Sequence, residues 1–484
     1  MMDTGVYRYE RNRESHEFFS PGPLSSARTA TAPSAIFNLV STIIGGGILS
    51  LPFAFDKCGL VVALIFMAIA ASASTFSLYV IVSCSRRGRA CSYEEVVRKA
   101  LGPRAGHVTV VLLVLLTFLT LVAYVILTKD LVGSLGAKFL YHRPISGTEQ
   151  NGLTLLCVLL VSPALLARSM NALRFTSVFS LMSVLVLATT ITIRAVGTVV
   201  AGGPDVEAVA TTDVRVPIKL FPDSWVDAAY AFPIISVAFL CHFNVLPVYR
   251  ELHKPTRHRL KKIVASTMFY TWLFCMLVGT MGYLFAFQQP GGVQGDILNN
   301  FSVDDHLVNL GRLGLLITIQ LSLALIIQPC RANVLRLARI IQSYVQEHGT
   351  TFESKNSEGR DMVGENTTLL ATNRSATASI GTLNPSTPAT FRARVVHVLL
   401  TVGIMASVVI IALISPGVAV VWNLMGSTVG LLISYVLPCV SYVNIRHEKS
   451  NMDRRKLTAW IIFVLSSVVC AVCTVQAFVS VFLL

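Results

Sequence analysis

The chain has 484 residues, of which 13% are Asp, Glu, Lys or Arg and 54% are hydrophobic, and its mean hydropathy is +0.66. A soluble globular surface draws on about 25% charged residues, so this composition excludes a set of ordinary soluble domains and points to an all-α polytopic membrane protein. The excess of 39 Lys and Arg over 25 Asp and Glu fits loops facing anionic lipid, with no nucleic acid expected as a partner.

The first thirty residues are polar and basic with no apolar core, so no cleavable signal peptide is expected. Eleven stretches are then long and apolar enough to cross a hydrocarbon core of about 30 Å. They are Ser34–Phe55, Leu60–Ser83, His107–Thr128, Asn151–Ala167, Phe175–Ala201, Val226–Tyr249, Ile263–Phe287, Leu313–Pro329, Val395–Ser415, Val418–Val443 and Leu457–Leu484. Phe175–Ala201 carries Arg194 near its far end, expected to snorkel to the interface unless it pairs inside the bundle. With the N-terminus cytoplasmic, 31 of the 39 Lys and Arg fall in inner segments and 6 in outer ones. That asymmetry predicts the N-terminus inside and the C-terminus outside.

Between the second and third spans, Ser92–Gly102 reads as a short amphipathic helix with Tyr93, Val96, Val97 and Leu101 on one side. From about Gln346 to Arg392 the chain is rich in Ser, Thr, Asn and Gly and reads as a disordered cytoplasmic loop. Of the ten cysteines, Cys470 and Cys473 form a CxxC, but within an apolar helix they read as small packing residues. No HExxH, GxSxG or P-loop occurs, so neither an enzyme nor a bound cofactor is expected.

Two spans contain backbone breakers. The first holds Gly45, Gly46 and Gly47 beside Ser41 and Thr42, followed by Pro52. Unpaired backbone at that depth is tolerated only where it lines a cavity or is buried in protein; close helix packing through small residues is the competing reading. The sixth holds His242 and Asn244 ahead of Pro247, and His242 is read equally well as a packing residue. Breaks in the first and sixth spans predict two inverted five-helix repeats with one extra helix. The corresponding bounds are a tail at 1–33, a first repeat at 34–202, an outer loop at 203–225, a second repeat at 226–443 enclosing the 346–392 loop, and a final loop and helix at 444–484. Half-helix N-termini suit a carboxylate and freed carbonyls suit an ammonium, a match for an amino acid zwitterion. Asp56, Asp227, Asp304 and Asp305 are the acids singled out near the helix ends. None is placed to neutralise a cationic side chain in mid-membrane, so a neutral substrate is expected.

Four stretches carry a family resemblance: Phe37-Asn-Leu with Gly45-Gly-Gly-Ile-Leu and Pro52; Phe239-Leu-Cys-His-Phe-Asn-Val-Leu-Pro-Val-Tyr-Arg-Glu-Leu252; Arg312-Leu-Gly with Gln328-Pro-Cys-Arg331; and Trp422-Asn-Leu-Met-Gly-Ser-Thr with Tyr435-Val-Leu-Pro438. The sequence resembles the amino acid/auxin permease (AAAP) family, and within it the system A and system N neutral amino acid transporters. The resemblance implies a LeuT-like fold, alternating access, and α-amino acid substrates coupled to Na+ or H+. It implies that Gly45, Gly46 and Gly47 meet the substrate carboxylate and that the stretch from Phe239 to Asn244 receives the amino group. Ser41 stands where the sodium-coupled branch carries an asparagine, and Gln320 near where its eighth helix supplies a threonine. With Ser322 these are the candidates for the coupling ion, and the departures set proton coupling or ion-independent exchange beside sodium.

Three rivals remain from the sequence: a transporter of arginine or lysine, an amino-acid-sensing receptor, and, least favoured, an ion channel. The plasma membrane is the expected location. Glu365-Asn-Thr-Thr-Leu-Leu370 matches an acidic dileucine pattern and gives the vacuole or lysosome as the alternative. Asn300-Phe-Ser302 is a glycosylation sequon in an expected outer loop, whereas Asn366 and Asn373 lie in the expected cytoplasmic loop and should stay bare.

Overall fold

A computed structural model describes residues 31–166, 176–201, 217–252, 256–357, 391–448 and 453–482. The first span is in pieces. Helix α1 (Ala32–Ile43) starts where the Thr31 side chain accepts the Ser34 N–H, with proline in its first turn. It stops at Ile44, where the Gly45 N–H reaches back only two residues to the Ile43 carbonyl at 2.8 Å. A 3-10 turn, Gly46–Ser50, then leads into α2 (Leu51–Cys58), and the two halves are bent by 50°. Glycine weakens a helix by about 1 kcal/mol per position relative to alanine, so three in a row place the break.

Helices α3 (Leu60–Gly88), α4 (Tyr93–Leu101), α5 (Pro103–Gly136), α6 (Gly147–Leu165) and α7 (Thr176–Ala201) follow. The α4 helix forms as the pattern predicts, burying Tyr93, Val96 and Val97, and the Tyr93 hydroxyl donates to the Ile433 carbonyl at 2.6 Å. The sixth span is interrupted between α8 (Trp225–Val237) and α9 (His242–Glu251). Next come α10 (Arg257–Ala286), α11 (His306–Ser357), α12 (Phe391–Ile414) and α13 (Val418–Met425). Two π-helical turns, Gly426–Gly430 and Leu432–Val436, lead to α14 (Leu437–Ile445), and α15 (Arg454–Phe482) ends the described chain.

Among the described residues, nine helices are long and apolar enough to cross a membrane, and the bent pair α1–α2 makes ten, so the expected count of eleven is not reached among them. The difference is the stretch expected as Asn151–Ala167. Its helix, α6, has 19 residues and opens on Thr148, Glu149, Gln150 and Asn151, which dilute its apolar content. The bundle's outward surface is that of a protein in lipid: Leu159, Leu160, Leu399 and Leu465 are 67%, 70%, 65% and 61% exposed. Such side chains are stable there only against hydrocarbon.

Two further expectations change. The helix of the eighth span continues to Ser357, so the segment expected to be disordered from Gln346 is helical over its first dozen residues. The remainder of that loop, with the Glu365–Leu370 motif and both Asn366 and Asn373, lies outside the described residues. Arg194 pairs instead of merely snorkelling: its Nε lies 2.7 Å from Asp305 Oδ2. Burial works against the charge on Asp305, but the hydrogen bond from Arg194 holds its carboxyl below the usual range.

Helix α15 packs on the π-helical part of the tenth span. A π turn leaves carbonyls without their usual partner, and the Ser427 carbonyl accepts both Cys470 Sγ at 3.2 Å and Thr474 Oγ1 at 3.0 Å. Cys470 and Cys473 are both buried free thiols, in keeping with a packing role.

Candidate functional site

The triglycine break faces α5 and α13. Tyr124 lies over Gly45 and Gly46 and meets Trp422 edge-on with ring centroids 6.4 Å apart. A Cβ built on Gly45 would lie 3.0 Å from the Tyr124 hydroxyl oxygen. One on Gly46 would lie 2.3 Å from Leu127 Cδ1, and one on Gly47 3.9 Å from Trp422. The glycines therefore admit aromatic side chains to within contact of backbone, which a side chain at Gly46 would prevent. Tyr124 and Leu127 were not singled out from the sequence, each lying in an apolar run whose pattern says only that it is helical, and Trp422 entered only as part of a family-like stretch, with no site role.

Ser41 is buried and donates its hydroxyl to the Asn38 carbonyl at 3.1 Å; Thr42, exposed, donates to the same carbonyl at 2.7 Å. Both hydroxyls are thus tied to their own helix, with oxygen lone pairs left to accept.

At the second break, Phe239 is fully buried and its N–H bonds to the Ser236 carbonyl at 3.1 Å. The Leu240 N–H bonds to the Val237 carbonyl at 3.0 Å, and α9 restarts with Asn244 N–H and Val245 N–H both directed to the Cys241 carbonyl. The Asn244 residue is half-buried. His242 turns away from this opening toward α3: its Nε2 lies 2.7 Å from Ser77 Oγ, and its ring meets Tyr435 edge-on. Tyr435 in turn binds Ser74 at 3.1 Å and Ser236 at 3.2 Å. The result is a buried polar seam joining the second, sixth and tenth spans.

Gln320, 8% exposed, donates its amide to Thr128 Oγ1 at 3.0 Å, and Thr128 donates to the Tyr124 carbonyl at 2.8 Å. That links the eighth span to the helix carrying Tyr124, not to Ser41. The Gln320 Oε1 is buried without a hydrogen-bond partner, and Ser322, two residues on and so on another side of the helix, is half-buried. Among the described residues no group of three or more His, Cys, Asp or Glu is placed to hold a metal ion.

The loop joining α10 to α11 covers the end of the bundle opposite the basic loops. Ser50, just past the triglycine, donates its hydroxyl to the Gly295 carbonyl at 2.6 Å. Asp296, absent from the acids singled out by sequence, is buried in this loop, where its Oδ1 accepts the Leu298 N–H at 3.0 Å.

Comparison with known proteins places this arrangement. A protein named "Putative sodium-coupled neutral amino acid transporter 11" from Bos taurus is 24% identical over 307 residues, 63% of each chain. "Amino acid transporter AVT6E" from Arabidopsis thaliana is 27% identical over 286 residues, 56% of this chain and 54% of that one. The chain thus matches less than two thirds of the length of these relatives. Among solved structures, a Na+-coupled sialic acid symporter in a substrate-bound outward-open state superposes with a TM-score of 0.50 at 15% identity, covering 98% of this chain and 95% of that one. The fold is therefore of the LeuT type. The family model described as "Transmembrane amino acid transporter protein" matches residues 28–479, and this chain belongs to that family.

Proposed function

We propose that the protein is a secondary-active carrier of neutral L-α-amino acids, working by alternating access and coupled to H+ or Na+. The observation that carries this reading is the open backbone at Gly45–Gly47 under Tyr124 and Trp422, inside a membrane-spanning bundle. Freed N–H groups at the 3-10 turn suit a carboxylate, and the interrupted backbone from Ala238 to Cys241 offers carbonyls to an ammonium group. The substrate residues in this reading are Ser41, Thr42, Gly45, Gly46, Gly47, Phe239 and Asn244, with His242 at their edge. The names of the relatives from cow and Arabidopsis support an amino acid as the cargo.

H+ and Na+ both stand as coupling ions in this reading: Gln320 donates to Thr128 and Ser41 to Asn38, which ties them to different partners while leaving their oxygens, with that of Ser322, as acceptors for a cation. The inverted-repeat domain bounds, the cytoplasmic N-terminus, the extracytoplasmic C-terminus and the plasma membrane, with the vacuolar or lysosomal membrane as alternative, belong to the same reading. Its partners are the amino acid, the coupling ion and membrane lipid.

Uptake of each standard amino acid into proteoliposomes, at acid and neutral pH with and without sodium, tests it. Saturable uptake of a neutral amino acid is expected, with little competition from arginine or lysine. Binding without uptake identifies a sensor, and uptake confined to arginine or lysine overturns the neutral substrate.

A further inference from the structure

The aromatic cover of the triglycine break carries a donor that the fold does not satisfy. Trp422 stands in α13 and is 3% exposed. The atoms of its ring nearest to a Cβ built on Gly47 are Cε2 at 3.9 Å and Cζ2 at 4.0 Å. Cε2 is the ring carbon bonded to Nε1, so the indole meets the break along the side that bears its N–H. Among the described residues Nε1 is buried with no hydrogen-bond partner. Buried donors are nearly always paired, and one left alone at a break in the backbone calls for a ligand.

The ring is held in place from both flanks. Asn423, next to it, is 1% exposed; its Nδ2 donates to the Tyr230 carbonyl of α8 at 3.1 Å and to Gln476 Oε1 of α15 at 3.4 Å. Three residues on from Trp422, Met425 Sδ accepts the Thr120 hydroxyl of α5 at 3.5 Å. These contacts fix α13 about its axis, so the Trp422 N–H cannot turn to another partner without breaking them. An unpaired indole is not by itself a site. Trp272 Nε1 in α10 is unpaired too, but its ring lies against Phe269 with centroids 6.2 Å apart, and Phe269 is 57% exposed at the bundle surface. Trp422 differs because a glycine, with no side chain to fill the space, lies beneath it.

The chemistry of indole narrows the ligand. Nε1 donates and does not accept, so it can meet an accepting oxygen but not an ammonium group. In a zwitterionic amino acid lying at Gly45–Gly47, that oxygen belongs to the carboxylate. A hydrogen bond to a charged acceptor in a buried setting is of the strong kind. We propose that the Trp422 indole N–H donates to the α-carboxylate of the transported amino acid, which makes Trp422 a substrate-binding residue of the carrier; the inference rests on the transport reading above. Capping the carboxylate as a neutral α-carboxamide keeps the ammonium group and the side chain but removes the charge that makes this bond strong.

The test uses the full chain as wild type, as Trp422→Phe, and with 3-benzothienylalanine placed at position 422 by nonsense suppression. The last keeps the bicyclic shape and puts sulfur where the N–H was. Dissociation constants are measured on the purified protein for each standard neutral amino acid and for the α-carboxamide of the tightest binder. The wild type is expected to prefer the amino acid to its carboxamide by about tenfold or more. Both altered proteins are expected to bind the amino acid about tenfold more weakly and the carboxamide less than about twofold more weakly, so that the preference collapses. A merely structural role would weaken both ligands alike. An unchanged preference in the benzothienylalanine protein overturns the proposal, as does an equal loss for both ligands; that protein alone decides if Trp422→Phe does not fold. Counterflow of the same amino acids in proteoliposomes keeps the transport reading separate. Binding without counterflow overturns the carrier while the indole contact is still read from the binding preference, and a wild type that binds none of the neutral amino acids overturns both.

Discussion

The Ser50 hydroxyl donates to the Gly295 carbonyl at 2.6 Å across 245 residues of sequence. This bond joins the second half of the broken first span to the loop that closes the same end of the bundle. Around it the loop is held by Lys138 on Asp304 at 2.5 Å, Arg194 on Asp305 at 2.7 Å, and the stacked rings of Phe285 and Phe301, 4.1 Å between centroids. Movement of the half-helix and movement of the loop are therefore one event.

Ser50→Ala removes that link while leaving the helix intact. A hydrogen bond contributes about 1 kcal/mol net, so the closed end should lose roughly fivefold in population. A cysteine placed at Gln294, which is exposed, should then be alkylated faster than in the parent. An unchanged alkylation rate would mean that the bond does not hold the loop.

The break itself was legible in sequence because glycine and proline act on their own backbone. The two breaks, the amphipathic α4 and the helical class all follow from such local chemistry. What closes around the breaks was not. Tyr124 and Leu127 belong to a helix whose pattern is apolar all round, and only packing decides that these two meet Gly46. His242 looked like a ligand because it is polar in an apolar run, and Gln320 because of its position in the family resemblance. Their partners, Ser77 and Thr128, stand 165 and 192 residues away, beyond any spacing rule.

His242 should therefore behave as a bridge between α3 and α9. His242→Ala leaves Ser77 without this partner in a buried setting, costing about 1–3 kcal/mol on top of the cavity. The expected result is a clearly lower melting temperature of the purified protein, with KM for the transported amino acid changed by less than about twofold. A large rise in KM at unchanged melting temperature would instead make His242 a substrate ligand.

Asn300 should carry no sugar in the folded protein, although it heads a sequon. Its Nδ2 donates to Gln289 Oε1 at 3.1 Å and to the Gly292 carbonyl at 2.9 Å, and its Oδ1 accepts the Gln294 N–H at 2.9 Å. A glycan on Nδ2 would remove a donor and open the turn it fastens. Treatment with an endoglycosidase is expected to leave the electrophoretic mobility of the membrane-expressed protein unchanged. A shift that vanishes in Asn300→Gln would show that this turn tolerates the sugar.

Gly46 gives the sharpest test of the site, because the obstacle to a side chain is itself replaceable. A Cβ there would lie 2.3 Å from Leu127 Cδ1 and 3.3 Å from Tyr124 Cε1. Gly46→Leu should abolish transport while the protein still inserts in the membrane. Gly46→Ala should lower it by about tenfold or more, since contact that close forces the half-helix off Tyr124. Leu127→Ala removes the nearer atom, so adding it to Gly46→Ala should restore part of the lost rate, a positive coupling in a double-mutant cycle. Leu127→Ala alone leaves a cavity and is expected to be mildly impaired. Uptake rates normalised to protein at the membrane decide the matter. Normal transport by Gly46→Leu would make the triglycine a packing feature, and strictly additive losses in the cycle would mean that Leu127 is not what bars a side chain.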